Sequence, residues 1–171
     1  YMDRLEAAAL SVNVASLVGH TALRAMHVAD LDRPASTDEA AAMRRATREA
    51  MKAGALGLST GTFYPPAAAA TGEEIVEVGR DLAEWGGVYA THMRDEGDRV
   101  LESIDEATRI AAQMRVNLVI SHHKVVGARN FGRTADTLQK IDFLRQTQSI
   151  CMDCYPYTAS SSMLRIERLE L

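Results

Sequence analysis

Val88-Tyr89-Ala90-Thr91-His92 and, thirty positions on, Val116-Asn117-Leu118-Val119-Ile120-Ser121-His122-His123-Lys124 are two stretches of the same kind. Each is a short run dominated by β-branched, aliphatic or aromatic side chains that ends close to a histidine. Runs of this length and composition read as buried strands. The interval from His92 to His122 has room for one helix, one strand and two loops. If the two runs are neighbouring parallel strands, both imidazoles leave the sheet at the same end. In α/β proteins that carboxyl-terminal edge is where sites are built.

The same unit repeats in both directions. Upstream, Val12 to Val18 reads as a strand leading into Gly19-His20. Ser36 opens a capping box with Glu39, and an alanine-rich helix then runs to Lys52 before Gly54 stops it. Ala55 to Ser59 is a short strand, followed by Thr60-Gly61 and a loop with Pro65-Pro66. Thr71 and Glu74 form a second capping box, and Ile75, Val78, Leu82 and Trp85 recur at helical spacing. Between the two histidines a helix spans about Arg99 to Met114. Downstream, Thr134 caps a helix carrying Leu138, Ile141 and Leu144, and Ser149 to Cys154 is a last strand that delivers Tyr155-Pro156-Tyr157.

Five strands alternating with four helices imply a parallel sheet with right-handed crossovers. Two α/β architectures fit: a doubly wound open sheet, and a partial (β/α)₈ TIM-like barrel with about five of its eight units. No Gly-x-Gly-x-x-Gly turn follows any strand, which lowers the dinucleotide-binding version of the first. The 171 residues are enough for one domain with a core of its own, and both architectures stay open at this point. The first residue is Tyr1, Met2 to Leu10 resembles the tail of a helix already under way, and Leu164 to Leu171 stops without a boundary signal. Both ends are expected to be cuts through a larger protein.

Composition narrows the function. The 171 residues are 47% apolar and 25% charged, and 19 basic against 23 acidic side chains give a net charge of −4. Without a basic stripe, neither nucleic acid nor an anionic membrane is an expected partner. No apolar run approaches the ~20 residues of a membrane span, and no signal-peptide pattern is visible. Cys151 and Cys154 are too few for a disulfide framework, so a cytoplasmic location is expected.

Two imidazoles converging from adjacent strands are the start of a metal site, although a catalytic zinc normally takes three protein ligands and leaves a position open. His92 and His122 are the candidates. His123 follows His122 directly, and alternation along an extended chain sends the two to opposite faces without saying which turns inward. The other is expected to pack under a helix or orient a neighbour. Lys124 and Arg94 are candidate anchors for a substrate carboxylate, with solvated loop charges as the alternative. Asp153 and Tyr155 alternate on the last strand and are expected to share a face. Cys151-x-x-Cys154 places its thiols on opposite faces of a strand, so both are read as core cysteines. His20 and His27, on a strand end and the loop after it, have no evident partner.

Taken in order, Asn13 to His20, Gly54 to Gly61 with Tyr64-Pro65-Pro66, Tyr89 to Gly97, Ile120 to Lys124 and Asp153 to Tyr157 resemble the N-acyl-D-amino-acid deacylases of the amidohydrolase superfamily. The resemblance covers nearly the whole chain. It implies a zinc hydrolase on a distorted (β/α)₈ barrel, with the five strands here as the third to the seventh. It implies that His92 and His122 bind zinc and that Lys124, Tyr155 and Ser161 line the pocket for the carboxylate end of an N-acyl-D-amino acid. The family's His-x-His pair, its metal-binding cysteine and its proton-shuttling aspartate have no counterpart in these residues. By themselves the 171 residues are therefore expected to be inactive, and to self-associate through exposed sheet edges. Two other readings fit the residues less fully: an amidohydrolase acting on cyclic amides, and a non-catalytic α/β module.

Overall fold

A computed structural model describes residues 2–161; the reading of Leu164 to Leu171 lies outside the described residues. Helix α1 (Met2–Glu6) is followed by β1 (Val18–Gly19), α2 (His20–His27), α3 (Thr37–Lys52), β2 (Gly57–Gly61), α4 (Gly72–Val78), β3 (Val88–His92), α5 (Val100–Met114), β4 (Asn117–Ile120), α6 (Thr134–Leu144) and β5 (Ile150–Met152). The five strands pair in parallel in the order β1-β2-β3-β4-β5. A doubly wound sheet reverses its strand order at a switch point. This one never does, so its crossovers all carry the chain the same way round.

The register decides which face is covered. Leu58, Tyr89, Leu118 and Ile150 form one row across the sheet, each no more than 4% exposed. They pack against Met43 and Met51 of α3, Ile75 and Val78 of α4, Ile104, Ile110 and Met114 of α5 and Ile141 of α6. On the other face the row Ser59, Ala90, Val119 and Cys151 carries small or partly exposed side chains, and none of them joins the helix-packed core of the described residues. Helices on one side of a monotonic parallel sheet describe an arc of a barrel, with the second row facing its interior. His92 has the same parity as Ala90 and Val88, and so emerges on that interior face at the carboxyl end of β3.

The local signals explain most of the elements. Ser36 Oγ accepts from Glu39 N–H and the Glu39 carboxylate accepts from Ser36 N–H, the full capping box. Thr71 Oγ1 caps α4 through Glu74 N–H, but the Glu74 side chain does not return to close a box. It turns inward to His20, Arg24 and Ala35 N–H instead. The periodic stretch expected to reach Trp85 breaks after Val78 into a 3₁₀ turn over Leu82–Trp85. A Cβ at Gly79 would collide with Met114 Sδ, so the break falls at a glycine packed against α5.

Several expectations need correction. The Val12 to Val18 strand shrinks to Val18–Gly19: Val12 and Val14 are 69% and 47% exposed and pair with no strand among the described residues. His20 and His27 are not on a strand end and a loop but begin and end α2, whose N-cap is Gly19 and has no side chain to announce it. Arg133, not Thr134, is the N-cap of α6. Cys151 and Cys154 are free and exposed rather than core residues, since β5 is the other edge and its inner face is uncovered among the described residues. No helix of the described residues is long and apolar enough to cross a membrane.

Candidate metal centre

Backbone pairing sets the two imidazoles side by side. His92 is the last residue of β3, opposite Gly61 of β2. His122 lies two residues past β4, in a turn pinned by three hydrogen bonds. Ser121 N–H donates to Thr91 O (3.0 Å), His122 N–H to Asp153 Oδ1 (2.6 Å) and His123 N–H to Asp153 O (2.7 Å). His122 takes a left-handed backbone conformation, φ 41°, which costs a non-glycine residue of order 1 kcal/mol. That twist carries His122 into the interior while His123 goes the other way. His123 is 8% exposed and its Nε2 lies 2.9 Å from Thr137 Oγ1 on α6, the packing under a helix expected of the histidine that turns away from the interior.

His92 Nδ1 and His122 Nε2 stand 3.0 Å apart. Two nitrogens bound to one tetrahedral zinc at the usual ~2.0–2.1 Å are about 3.3 Å from each other, so this pair is already at ligand spacing. Burial, followed by the nearby His122 ring and the Lys124 charge, pushes His92 down to about 4. Its ring is neutral at physiological pH, as metal binding requires.

Glu96 was not among the sequence candidates, although it stands four residues after His92 in an acidic loop. Asp95 shapes that loop: its Oδ1 accepts from Gly97 N–H (2.7 Å) and Arg99 N–H (3.2 Å), and its own N–H reaches Ser103 Oγ. The Glu96 carboxylate is only 6% exposed. Its Oε2 lies 2.6 Å from Lys124 Nζ. Its Oε1 lies 3.2 Å from His122 Nδ1 without the alignment of a hydrogen bond. Lys124 Nζ also sits 3.0 Å from His122 Nδ1 and 5.7 Å from the centre of the Tyr155 ring. Phe63 and Tyr64, also unforeseen, bring their rings to 5.4 and 5.1 Å from that of His92. His92, His122, Lys124, Tyr155 and Ser161 all line one open groove of about 960 Å³.

The other candidates go elsewhere. Arg94 is neither a free loop charge nor part of the groove. It pairs with Glu106 and donates to Ala68 O and Ala70 O, tying that loop to α5. Asp153 holds the backbone of His122, while Tyr155 faces the groove. His20 is fully buried with Nε2 3.0 Å from Glu74 Oε1. A second hollow, of about 520 Å³, is walled by charges of both signs, Arg94, Arg99 and Arg109 against Asp95, Glu102, Asp105 and Glu106.

Ligand atoms of His92, Glu96 and His122 lie within 4.8 Å of one another. Among the buried polar atoms without a hydrogen-bond partner in the described residues are His92 Nε2 and Glu96 Oε1, both at this cluster. Two imidazoles beside a buried carboxylate suit a divalent transition metal.

No family model matches the chain. It is 51% identical over 171 residues to a D-aminoacylase of Alcaligenes xylosoxydans xylosoxydans, covering 100% of this chain and 35% of the relative. It is 48% identical over 162 residues to an N-acyl-D-aspartate deacylase of the same organism, covering 94% of this chain and 32% of the relative. Among solved structures it is similar to a D-aminoacylase described as defining a subset of amidohydrolases, with 50% identity and a TM-score of 0.88 over 91% of this chain and 34% of that one. A D-aminoacylase variant in complex with copper chloride gives 50% identity and a TM-score of 0.92, over 96% and 35%. An N-acyl-D-glutamate deacylase from Bordetella bronchiseptica, complexed with zinc and a phosphonate mimic of the tetrahedral intermediate, gives 36% and 0.86, over 92% and 33%. The chain thus spans about a third of the length of the proteins it matches, and its five-stranded arc is a partial amidohydrolase barrel.

Proposed function

We propose, on the premise that this chain belongs with the N-acyl-D-amino-acid deacylases of the amidohydrolase superfamily, that residues 1–171 are the central part of the barrel of a zinc-dependent deacylase. The reaction is hydrolysis of the amide bond of an N-acyl-D-amino acid to a carboxylate and a free D-amino acid. The observation that carries it is the 3.0 Å approach of His92 Nδ1 to His122 Nε2 at the carboxyl ends of adjacent strands, with a lysine beside them.

His92 and His122 would hold the ion. Imidazole accepts copper as well as zinc; zinc is favoured here because it does not change redox state and one relative binds it beside an intermediate mimic. When bound, zinc polarises the amide carbonyl and acidifies a water molecule. Everything else rests on the chain's own side chains. Lys124 supplies a fixed positive charge in the groove for the substrate carboxylate, and Tyr155 and Ser161 offer hydroxyls along the same wall. Phe63 and Tyr64 shield one side of His92 from water. The resemblance assigns protonation of the leaving amine to an aspartate that these 171 residues do not include. The free Cys151 and Cys154 favour a reducing, cytoplasmic setting.

The test is made on the full-length protein that carries this chain. With zinc, it is expected to hydrolyse N-acetyl-D-amino acids and to leave the L-enantiomers intact. His92→Ala and His122→Ala should each lose metal and turnover together. Stoichiometric metal with no hydrolysis of any N-acyl-D-amino acid would reject the substrate class while sparing the metal centre.

A further inference from the structure

We infer that Glu96 is a positioning residue: it fixes which nitrogen of His122 carries the proton, and thereby keeps Nε2 free for the metal. This deepens the proposed function and rests on its metal centre. Nδ1 of His122 faces two groups of opposite hydrogen-bonding character. Lys124 Nζ, 3.0 Å away, can only donate. The Glu96 carboxylate, with Oε1 3.2 Å away, can only accept.

The two partners demand opposite tautomers. If Lys124 donates to Nδ1, the ring proton must sit on Nε2, where it faces His92 Nδ1 at 3.0 Å and blocks a metal. If Nδ1 carries the proton, Nε2 presents its lone pair, and Glu96 is the acceptor at hand for Nδ1–H. Glu96 also draws the ammonium to itself, with Oε2 2.6 Å from Lys124 Nζ. One buried carboxylate therefore both stands within reach of a proton on Nδ1, at 3.2 Å though not aligned as a hydrogen bond, and restrains the donor that competes for that nitrogen. The same carboxylate also lies near the outer nitrogen of His92, whose Nε2 is 3.9 Å from Glu96 Oε2 and has no hydrogen-bond partner among the described residues. A carboxylate behind a metal-bound histidine typically changes metal affinity by about 10–100-fold.

Direct ligation by Glu96 is the competing assignment, and the geometry disfavours it. The nitrogens at ligand spacing are His92 Nδ1 and His122 Nε2, whereas Glu96 faces the opposite nitrogen of each ring.

The experiment measures zinc affinity of the full-length protein by competition with a chromophoric chelator, together with the visible spectrum of the cobalt(II) form. Glu96→Ala is expected to weaken zinc by about 10–100-fold, and Glu96→Gln, which keeps an acceptor of the same shape, by less. Lys124→Met in the Glu96→Ala background should restore much of the loss, because the competing donor has gone; a merely structural carboxylate predicts no such rescue. Circular dichroism on Glu96→Gln confirms that the fold is kept. Unchanged zinc affinity in Glu96→Ala, or no rescue by Lys124→Met, overturns the assignment. So does a cobalt spectrum of Glu96→Gln that reports a lost ligand. A wild-type protein that takes up no zinc overturns the metal centre itself, a result distinct from the others.

Discussion

Two residues other than glycine adopt positive φ in the described chain, and they do so for different reasons. Arg115 (φ 58°) closes α5 as a left-handed C-cap, a position where glycine is the usual choice. Nothing at Arg115 uses its side chain chemically, so Arg115→Gly is expected to raise stability by up to about 1 kcal/mol, read as a higher thermal midpoint. His122 (φ 41°) carries the same backbone cost at the centre of the site. His122→Gly should relieve that strain yet abolish metal uptake, so thermal midpoint and metal content should move independently. A shared fall in both would mean that the turn depends on the imidazole for its shape. The sequence alone offered His122 and His123 as equals. The difference is made by Asp153, the residue just after β5, which ties down both backbone N–H groups.

At the scale of elements, what was legible follows from how local each signal is. The capping box of α3 involves side chains three residues apart, and it could be read directly. Helix α2 could not, because its N-cap is a glycine and its anchoring is remote: Arg24 is fully buried and donates to Glu74, Pro66 O, Leu31 O and Arg33 O. The spacing pairs Glu74 with Thr71 as a second box, but its carboxylate is the hub joining α2, α4 and the Ala35 backbone. Burial alone would raise its carboxyl, yet hydrogen bonds from His20 and Arg24 outweigh it and hold Glu74 at about 2, against an ordinary value of 4.5. The unfolded chain thus takes up this proton at a higher pH than the folded one. The stability carried by the ionised carboxylate is complete above about pH 4.5 and is lost as pH falls toward 2. Glu74→Gln leaves Arg24 buried without its counter-charge and should cost about 3–5 kcal/mol at pH 7. The variant should also lose stability less steeply than wild type between pH 4.5 and 2 in acid-unfolding curves. Parallel curves would mean that other carboxylates, such as Asp81 between Arg44 and Arg48, carry the acid transition.

At the scale of the whole molecule, strand order separates two architectures that the alternation of strands and helices leaves equal. The arrangement also has a physical consequence. Both edges of the sheet are short strands, β1 of two residues and β5 of three, whose outer N–H and C=O groups have no partner strand among the described residues. The chain leading into β1 and β2 exposes Val12, Val14, Leu17 and Leu56, at 69%, 47%, 39% and 53%, and the chain in and after β5 exposes Met152 and Tyr157, at 39% and 74%. Unpaired edges flanked by apolar side chains recruit further strands. Isolated 1–171 is therefore expected to sediment as associated species whose size grows with concentration, and to turn over no N-acetyl-D-amino acid. The full-length protein should show neither behaviour, because further strands would pair with β1 and β5 and close the uncovered row of Ser59, Ala90, Val119 and Cys151. A stable monomer of 1–171 with unchanged circular dichroism on dilution would mean that these edges need no partner, and the barrel-segment reading would fall with that result.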